Sequence, residues 1–409
     1  MSDPHGATLG ERVAELRTRR DLSQRELAAE VGRSESWVSQ VERNVIPVER
    51  VPVLQALADA LGVTVRDLRP EATAAADADR TRRPATDLDT LRLVLTGHPA
   101  PELLLGTTAP TPVDVQVLTE RVRRAWVLTH ASAFGEVNAE LIDLLPDLER
   151  AWRQSEQGER ELLGRLLADA YQAASAAFAR LDEADASWIA ADRSIAVAEQ
   201  SGDPLGAFAG LFRMAHAFIT LRHLDQAEQV VSTGIEALAP AAESDDASPA
   251  ALSVYGALHV TLAVIHARGG QRTAARAAIA QGRAIAARIG EDRNDYETEF
   301  GPTNVELHAV AVAVDLGDAG EALDLAAGVD TSGLSSERQA RMHIDMARAH
   351  AQRRHVGEAV RALLTAESLA PEQVHTSAPA RQLLRDLVAL AGRRIPQELV
   401  DLTHRSAVI

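Results

Sequence analysis

The side chains in this sequence that are equipped for chemistry are arranged for recognition, not for bond-making. Thirteen histidines could bind a metal or move protons, yet no H-E-x-x-H or similarly tight spacing occurs. His216 and His223 stand seven apart with no carboxylate between them, a poor start for a metal site. The absence of cysteine removes disulfides, zinc fingers and thiol nucleophiles. No glycine-rich phosphate loop and no nucleophile elbow is present. The sequence therefore predicts a protein that is not an enzyme and needs no metal or cofactor.

Recognition chemistry is concentrated in SQRELAAEVGRSESWVSQVER, residues 23–43. Ser23 and Glu26 have the S-x-x-E spacing of a capping box, which opens a helix by satisfying two orphan backbone donors. Leu27, Ala28 and Val31 give that helix an apolar face, with alanine where a second helix must come close. Gly32 supplies the backbone freedom of a tight turn, and Ser34 is placed to cap a second helix. Val38 and Val41 of that helix share its inner face, leaving Arg33, Glu35, Ser36, Ser39, Gln40 and Arg43 outside. A short helix with polar side chains outward and its back held by a neighbour fits the major groove of DNA. The Gln40 amide can pair bidentately with adenine, and Glu35 can accept from the cytosine amino group.

These residues resemble the Xre/Cro-type family of helix-turn-helix repressors. The resemblance extends over about 9–69, from LGERVAELRTRR before the motif to LQALADALGVTVRDL (54–68) after it. It implies a phosphate contact for Gln24, base reading by Ser34, Glu35, Ser36 and Gln40, and flanking backbone contacts from Arg33, Arg43 and Asn44. Arg17, Arg19, Arg20, Arg25 and Arg50 could add phosphate neutralisation. Trp37 departs from the family pattern, being bulky where a small or polar residue is frequent. It is expected to pack against the domain's own loop or to touch sugar or a thymine methyl. Repressors of this family generally bind a double-stranded operator as dimers on half-sites roughly 34 Å apart, which implies a homodimer here.

Positioning such a helix requires a fold, and the composition restricts which. The chain has 409 residues, 46% of them apolar but only 3% aromatic, with alanine and leucine dominant; alanine favours helices and disfavours strands. The expected fold class is all-α, with an N-terminal five-helix helix-turn-helix domain and a C-terminal α-solenoid of helical hairpins. The net charge of −17 is unevenly spread. Residues 1–70 hold 10 arginines against 11 acidic residues, leaving 32 against 48 for the remainder. Acidity thus lies in the long C-terminal part, which should stay off DNA. The expected division is a DNA-binding domain over 1–70, a linker with a short helix over 71–112, and a sensor and dimerisation domain over 113–409. The opening residues carry no signal-peptide pattern and no window approaches 18 uninterrupted apolar residues, so a cytoplasmic protein without a membrane contact is expected.

From residue 113 onward amphipathic patterns alternate with short breaks such as QSGDP (200–204), ARGGQ (267–271) and DLGDAGEA (315–322). Ala227, Ala274, Ala322 and Ala359 mark the second helices of successive pairs, at intervals of 47, 48 and 37 residues. Self-similarity at this period predicts stacked helical hairpins. Over about 160–375 the pattern resembles tetratricopeptide repeats, with the 34-residue period loosely kept. A helix-turn-helix followed by such repeats resembles peptide-responsive quorum-sensing regulators and actinobacterial regulators of similar build. That resemblance implies a peptide or small-molecule effector held in a concave groove.

Groove candidates follow from polar pairs on the first helix of each hairpin: Arg213 and His216, Tyr255 and His259, Asn304 and His308, and Arg341 with Asp345. Each pair is spaced to share one helix face. The segment NDYETEFGPTNVELH (294–308) combines a turn with an immediate helix start and suits a ligand-facing loop. The functional expectation is a sequence-specific transcriptional regulator whose operator affinity is set by a ligand or partner of the repeat domain. The alternatives are a protein-interaction adaptor tethered to DNA and an antitoxin-like autorepressor.

Overall fold

The structure, a computed structural model, describes residues 9–20, 22–31, 33, 35–43, 48, 56–58, 60, 61, 63, 68, 86–96, 114–392 and 394–408. Among these the regular structure is helical, without a strand. The chain divides into two compact units, Met1–Ala85 and Thr86–Ile409.

In the smaller unit, α1 (Leu9–Arg19), α2 (Gln24–Val31) and α3 (Glu35–Glu42) pack around one core. Val13, Leu27, Ala28, Val38 and Val41 are buried in it. Leu57, Ala58, Leu61 and Leu68 from the following segment complete it; the helices expected there lie partly outside the described residues. The capping box forms as its spacing requires. The backbone N–H and hydroxyl of Ser23 both donate to Glu26 Oε2 at 2.7 Å, and the Glu26 N–H donates back to Ser23 Oγ at 3.2 Å. These bonds also hold the Glu26 carboxyl below its usual pKa.

The larger unit opens with α4 (Thr86–Thr96). Sequence pattern suggests a helix over 88–96 within a linker; α4 instead buries Leu91 and Leu95 in the core of the larger unit. Arg92 ties it to Glu183 at 2.8 Å and to Asp185. Next come the helical pairs α5 (Val115–His130) with α6 (Phe134–Gln154), α7 (Gln157–Arg180) with α8 (Ala184–Gln200), and α9 (Pro204–Thr220) with α10 (Leu224–Ala242). They continue with α11 (Pro249–Arg268) and α12 (Arg272–Ile289), α13 (Pro302–Asp315) and α14 (Ala319–Ala326), and α15 (Ser336–Gln352) and α16 (Val356–Leu369). The short α17 (Pro371–Thr376), α18 (Ala378–Ala391) and α19 (Gln397–Arg405) finish the chain.

First helices pack on first helices: α5 on α7, α7 on α9, α9 on α11, α11 on α13 and α13 on α15. The row then closes, because α15 also packs on α5. An open solenoid has two free ends; here six inner helices form a ring. Two bonds secure the closure: the Arg180 guanidinium reaches Glu337 at 2.8 Å, and the Phe134 N–H donates to Glu372 at 2.9 Å. α11 is the one described helix long and apolar enough to cross a membrane. Its apolar stretch is instead 78% buried among its neighbours in the ring.

The pairs share a register. Ala227, Ala275, Ala322 and Ala359 each occupy the fourth position of the second helix and are buried to within 1% of complete exclusion. For the second of these pairs the buried alanine is Ala275, not the expected Ala274, which is half-buried. The turns share a device as well. Between the paired helices Ser132, Asp182, Arg222, Gly270, Gly317 and Arg354 all adopt positive φ, from 58° to 83°. Left-handed backbone costs an ordinary residue roughly 1–2 kcal/mol, while glycine pays about 0.5–1 kcal/mol in unfolded-state entropy. Arg222 and Arg354 are exposed, so little opposes replacing them. Arg222→Gly and Arg354→Gly should each stabilise the fold by about 0.5 kcal/mol, read as a raised urea midpoint; a lowered midpoint would show that those arginines hold the turns in some other way.

Candidate functional site

Two places concentrate polar side chains that the fold does not use up. The first is the outer face of α2 and α3. Val38 and Val41 fix the back of α3 in the core, leaving Glu35 and Arg43 exposed and Ser39 and Gln40 half-buried at its front. Arg25 on α2 and Arg33 in the turn are exposed on either side. Trp37 is half-buried against the domain's core, with the Arg33 guanidinium 5.6 Å from its ring centre. The Arg43 side chain folds back on the Ser39 carbonyl at 3.1 Å. Ser34 and Asn44 lie outside the described residues, as does the side chain of Ser36.

Three of the expected phosphate contacts have internal partners. Arg17 binds Glu42 at 2.5 Å and the Leu22 carbonyl at 2.7 Å, locking α1 to α3. Gln24 donates its amide to the same Glu42 at 2.6 Å. Arg20 donates to the Ala60 carbonyl at 2.6 Å. Arg17 and Arg20 therefore hold the domain together. Gln24 stands half-exposed at the start of α2, its amide nitrogen committed to Glu42.

The second place is the interior of the ring, and it is occupied. Between α12 and α13 the chain turns inward through a short 3-10 turn, Asp295–Glu297. The loop is closed by the Arg293 N–H on the Phe300 carbonyl at 3.0 Å. Phe300 is fully buried over Gly256, where any Cβ would lie 2.0 Å from its ring. At the tip, Glu297 receives His130 Nε2 at 2.7 Å and Glu299 lies 3.4 Å from His130 Nδ1. Glu299 also pairs with Arg338 at 3.0 Å. Arg338 further donates to the Thr298 carbonyl at 3.2 Å, and Arg213 to the Glu297 carbonyl at 2.6 Å. Tyr296 extends sideways to Asp203 at 2.9 Å.

The backbone of this tip is strained. Tyr296, Glu297 and Glu299 all have positive φ, at 50°, 54° and 49°, and none is glycine. Such backbone costs about 1–2 kcal/mol per residue, so the contacts at the tip must outweigh it. The electrostatics agree. Burial opposes charging of His130, but Glu297 and Glu299 outweigh it and lift its pKa to about 9. Burial likewise opposes ionisation of Glu299, yet His130 and Arg338 hold its carboxyl well below the usual range. Asp169, bonded by the Trp126 N–H at 2.8 Å, is pushed up to about 7 by burial. Arg213 is lowered to about 10 by burial and by Arg180 and Arg338.

Of the expected groove residues, the ring interior gathers Arg213, His216 and His308. Arg213 lies over the Trp126 ring at 4.9 Å. His216 packs edge-on to Phe212 and is held neutral by burial and by Arg341 and Arg180 nearby. His308, lowered to about 3 by burial and by Arg338 and Arg341, lines a cavity with Arg341. Tyr255 and His259 do not join them. Tyr255 donates to Glu243 beyond the end of α10 at 3.0 Å, and His259 stacks edge-on against Tyr255. Asn304 is buried and its carbonyl holds His308 at 2.8 Å, a supporting role. Sequence reasoning missed His130, Arg180, Glu297, Glu299 and Arg338. The one signal was the segment 294–308, read as suiting a ligand-facing loop, and of these five residues it holds only Glu297 and Glu299.

Residues 8–72 match the family described as "Helix-turn-helix domain". No curated protein matches the sequence. Among solved structures, the chain is similar to Bacillus thuringiensis PlcR in complex with the peptide PapR7 and DNA, at 12% identity and a TM-score of 0.36. That alignment covers 86% of this chain and 99% of the other. It is also similar to the apo form of the competence regulator ComR from Streptococcus vestibularis, at 14% identity and a TM-score of 0.21, covering 75% and 97% of the two chains. Likeness at this level leaves the arrangement of the larger unit to be read from its own contacts.

The His130 pair makes the ring pH-sensitive. A histidine raised from 6.5 to about 9 contributes stability in full below pH 6.5 and loses it as pH rises through 9. Glu299, depressed, keeps its contribution throughout that range. Asp169, raised to about 7, has lost its contribution by pH 8. Between pH 8 and 10 the melting temperature should therefore fall, and His130→Gln should flatten the fall; an equally steep profile in the variant would refute the assignment.

Proposed function

We propose that this chain is a sequence-specific DNA-binding transcriptional regulator whose operator affinity is set by a ligand held inside its helical ring. The observation that carries the reading is the α2–α3 pair. Its apolar back is fixed in the core, while Glu35, Ser39, Gln40 and Arg43 stand at the front of a short helix, with Arg25 and Arg33 flanking them. Such a front can enter a major groove, read base edges through an amide and a carboxylate, and seat on phosphates through arginine. The match of residues 8–72 to a helix-turn-helix domain supports the same reading.

In this reading residues 1–70 contact double-stranded DNA, and the larger unit senses the ligand and dimerises. One such domain covers about half an operator, so a homodimer on two half-sites is the working form. The excess acidity of the larger unit keeps it away from the duplex. The ligand acts by binding one arrangement of the larger unit better than another, since equal affinity for both would shift nothing. The protein works in the cytoplasm, without a membrane contact, and carries out no catalysis.

A footprint of the purified protein on its own upstream region, at two salt concentrations, tests this. Two similar protected half-sites that persist at the higher salt are expected; protection that is absent or vanishes with salt would mean either that the protein needs its ligand to bind or that it is a protein-interaction adaptor. Gln40→Ala should relax base preference at one operator position, costing about 1–3 kcal/mol there. Arg43→Ala should weaken all sites alike and flatten the salt dependence. An unchanged preference profile for Gln40→Ala would remove that residue from base reading.

A further inference from the structure

The ring interior is built for anions, and the chain fills it with its own. Arg180, Arg213, Arg338 and Arg341 converge there from α7, α9 and α15, with His130 on α5. Three carboxylates answer them, Glu337, Glu297 and Glu299, and two of the three are lent by the strained tip. Without the tip, five basic groups would face Glu337, together with Asp169 and an Asp345 already paired to Arg348 at 2.9 Å. Even with the tip in place the basic groups are not all served. Arg341 makes no hydrogen bond or ion pair among the described residues, and the buried Nε of Arg213 has no acceptor.

Two small cavities of about 20 Å³ and 10 Å³, each with room for little more than one water, share Arg338 in their lining, and the tip lines the first of them. The larger holds His130, Arg213 and the two glutamates; the smaller holds His308 and Arg341. Neither accepts a peptide as it stands. With the tip withdrawn the larger would widen into a basic chamber whose wall at Arg338 it shares with the smaller.

We propose that the tip around Glu297 and Glu299 is an internal competitor, and that the chamber it fills binds an acidic peptide with two carboxylates spaced as these are. A tethered segment has an effective concentration in the millimolar range, so a free peptide needs an advantage over it. Two are visible: the incoming chain need not adopt three left-handed residues, and a further carboxylate can reach Arg341. Displacing the tip also releases His130 and Arg338, which connect α5 to α15 where the ring closes. That the peptide is an effector of DNA binding rests on the regulator reading; the site itself does not.

The test uses the full chain and the hexapeptide DYETEF, which copies Asp295–Phe300, with DYQTQF, which lacks the two glutamate charges, as the control. Binding is read by fluorescence anisotropy without DNA. The Glu297→Gln/Glu299→Gln protein is expected to bind labelled DYETEF at least tenfold tighter than the parent, and at least tenfold tighter than it binds DYQTQF. Equal binding by parent and variant, or equal binding of the two peptides, would overturn the proposal. Should the double variant not melt cooperatively, Glu297→Gln alone carries the same expectation at about threefold, because Glu299 still pairs Arg338. A protein that binds DYETEF yet protects no operator keeps this site and loses the regulator reading; operator protection without the peptide preference does the reverse.

Discussion

Two carboxylates on a strained turn, Glu297 and Glu299, hold together a ring of helices whose interior is otherwise basic. Their partners come from far along the chain: His130 is 167 residues away from Glu297, and Arg338 lies on the helix that meets α5 at the closure. Buried arginines repel one another strongly in a low-dielectric interior, and leaving one unpaired costs about 3–5 kcal/mol. The tip makes the closed arrangement tolerable, at the expense of three residues in left-handed backbone. Stability and occupancy of the chamber are thus the same quantity. Whatever removes the tip must supply its charges.

The rest of the larger unit is arranged around this constraint. A buried alanine at the fourth position of four of the six second helices, Ala227, Ala275, Ala322 and Ala359, lets those paired helices approach closely. Gly256 opens the slot that takes Phe300, which anchors the end of the loop and aims its tip. Arg180 joins α7 to Glu337 next to Arg338, so the closing contact and the ring interior share one charged cluster. A ligand acting there would touch the ring at its joint, where a small change of packing has two discrete outcomes instead of a gradual deformation.

The helix-turn-helix was legible because everything that defines it is local. The capping box spans three residues, and Val38 and Val41 declare the buried side of α3 by their spacing. The arginines of that domain were less legible: Arg17 and Arg20 read as phosphate ligands by type, but their partners Glu42 and Ala60 lie 25 and 40 residues away. In the larger unit the hairpins and their period were readable from alanine and the breaks, with a one-residue error at Ala274. Ring closure was not, since no local pattern distinguishes six inner helices that meet from six that spiral apart. Equivalent helix positions did lead from Arg213 to His308, yet the same logic failed at Tyr255 and His259, where Glu243 draws the tyrosine away. The turns concealed their left-handed residues because three of the six positions hold Ser132, Arg222 and Arg354, residue types that carry no glycine-like signal.

Hydrogen exchange at the backbone amides of residues 297–299 in the intact, ligand-free protein tests the central claim most directly. The Glu297 and Thr298 amides donate to the Asn294 and Asp295 carbonyls, and the Glu299 amide donates to the Asn294 side chain at 3.0 Å. If the tip fills the basic interior, these amides should be protected to a degree comparable with the middle of α11. Exchange within seconds, as at an exposed surface loop, would show that the interior stands open and that the carboxylates of Glu297 and Glu299 do not hold the ring.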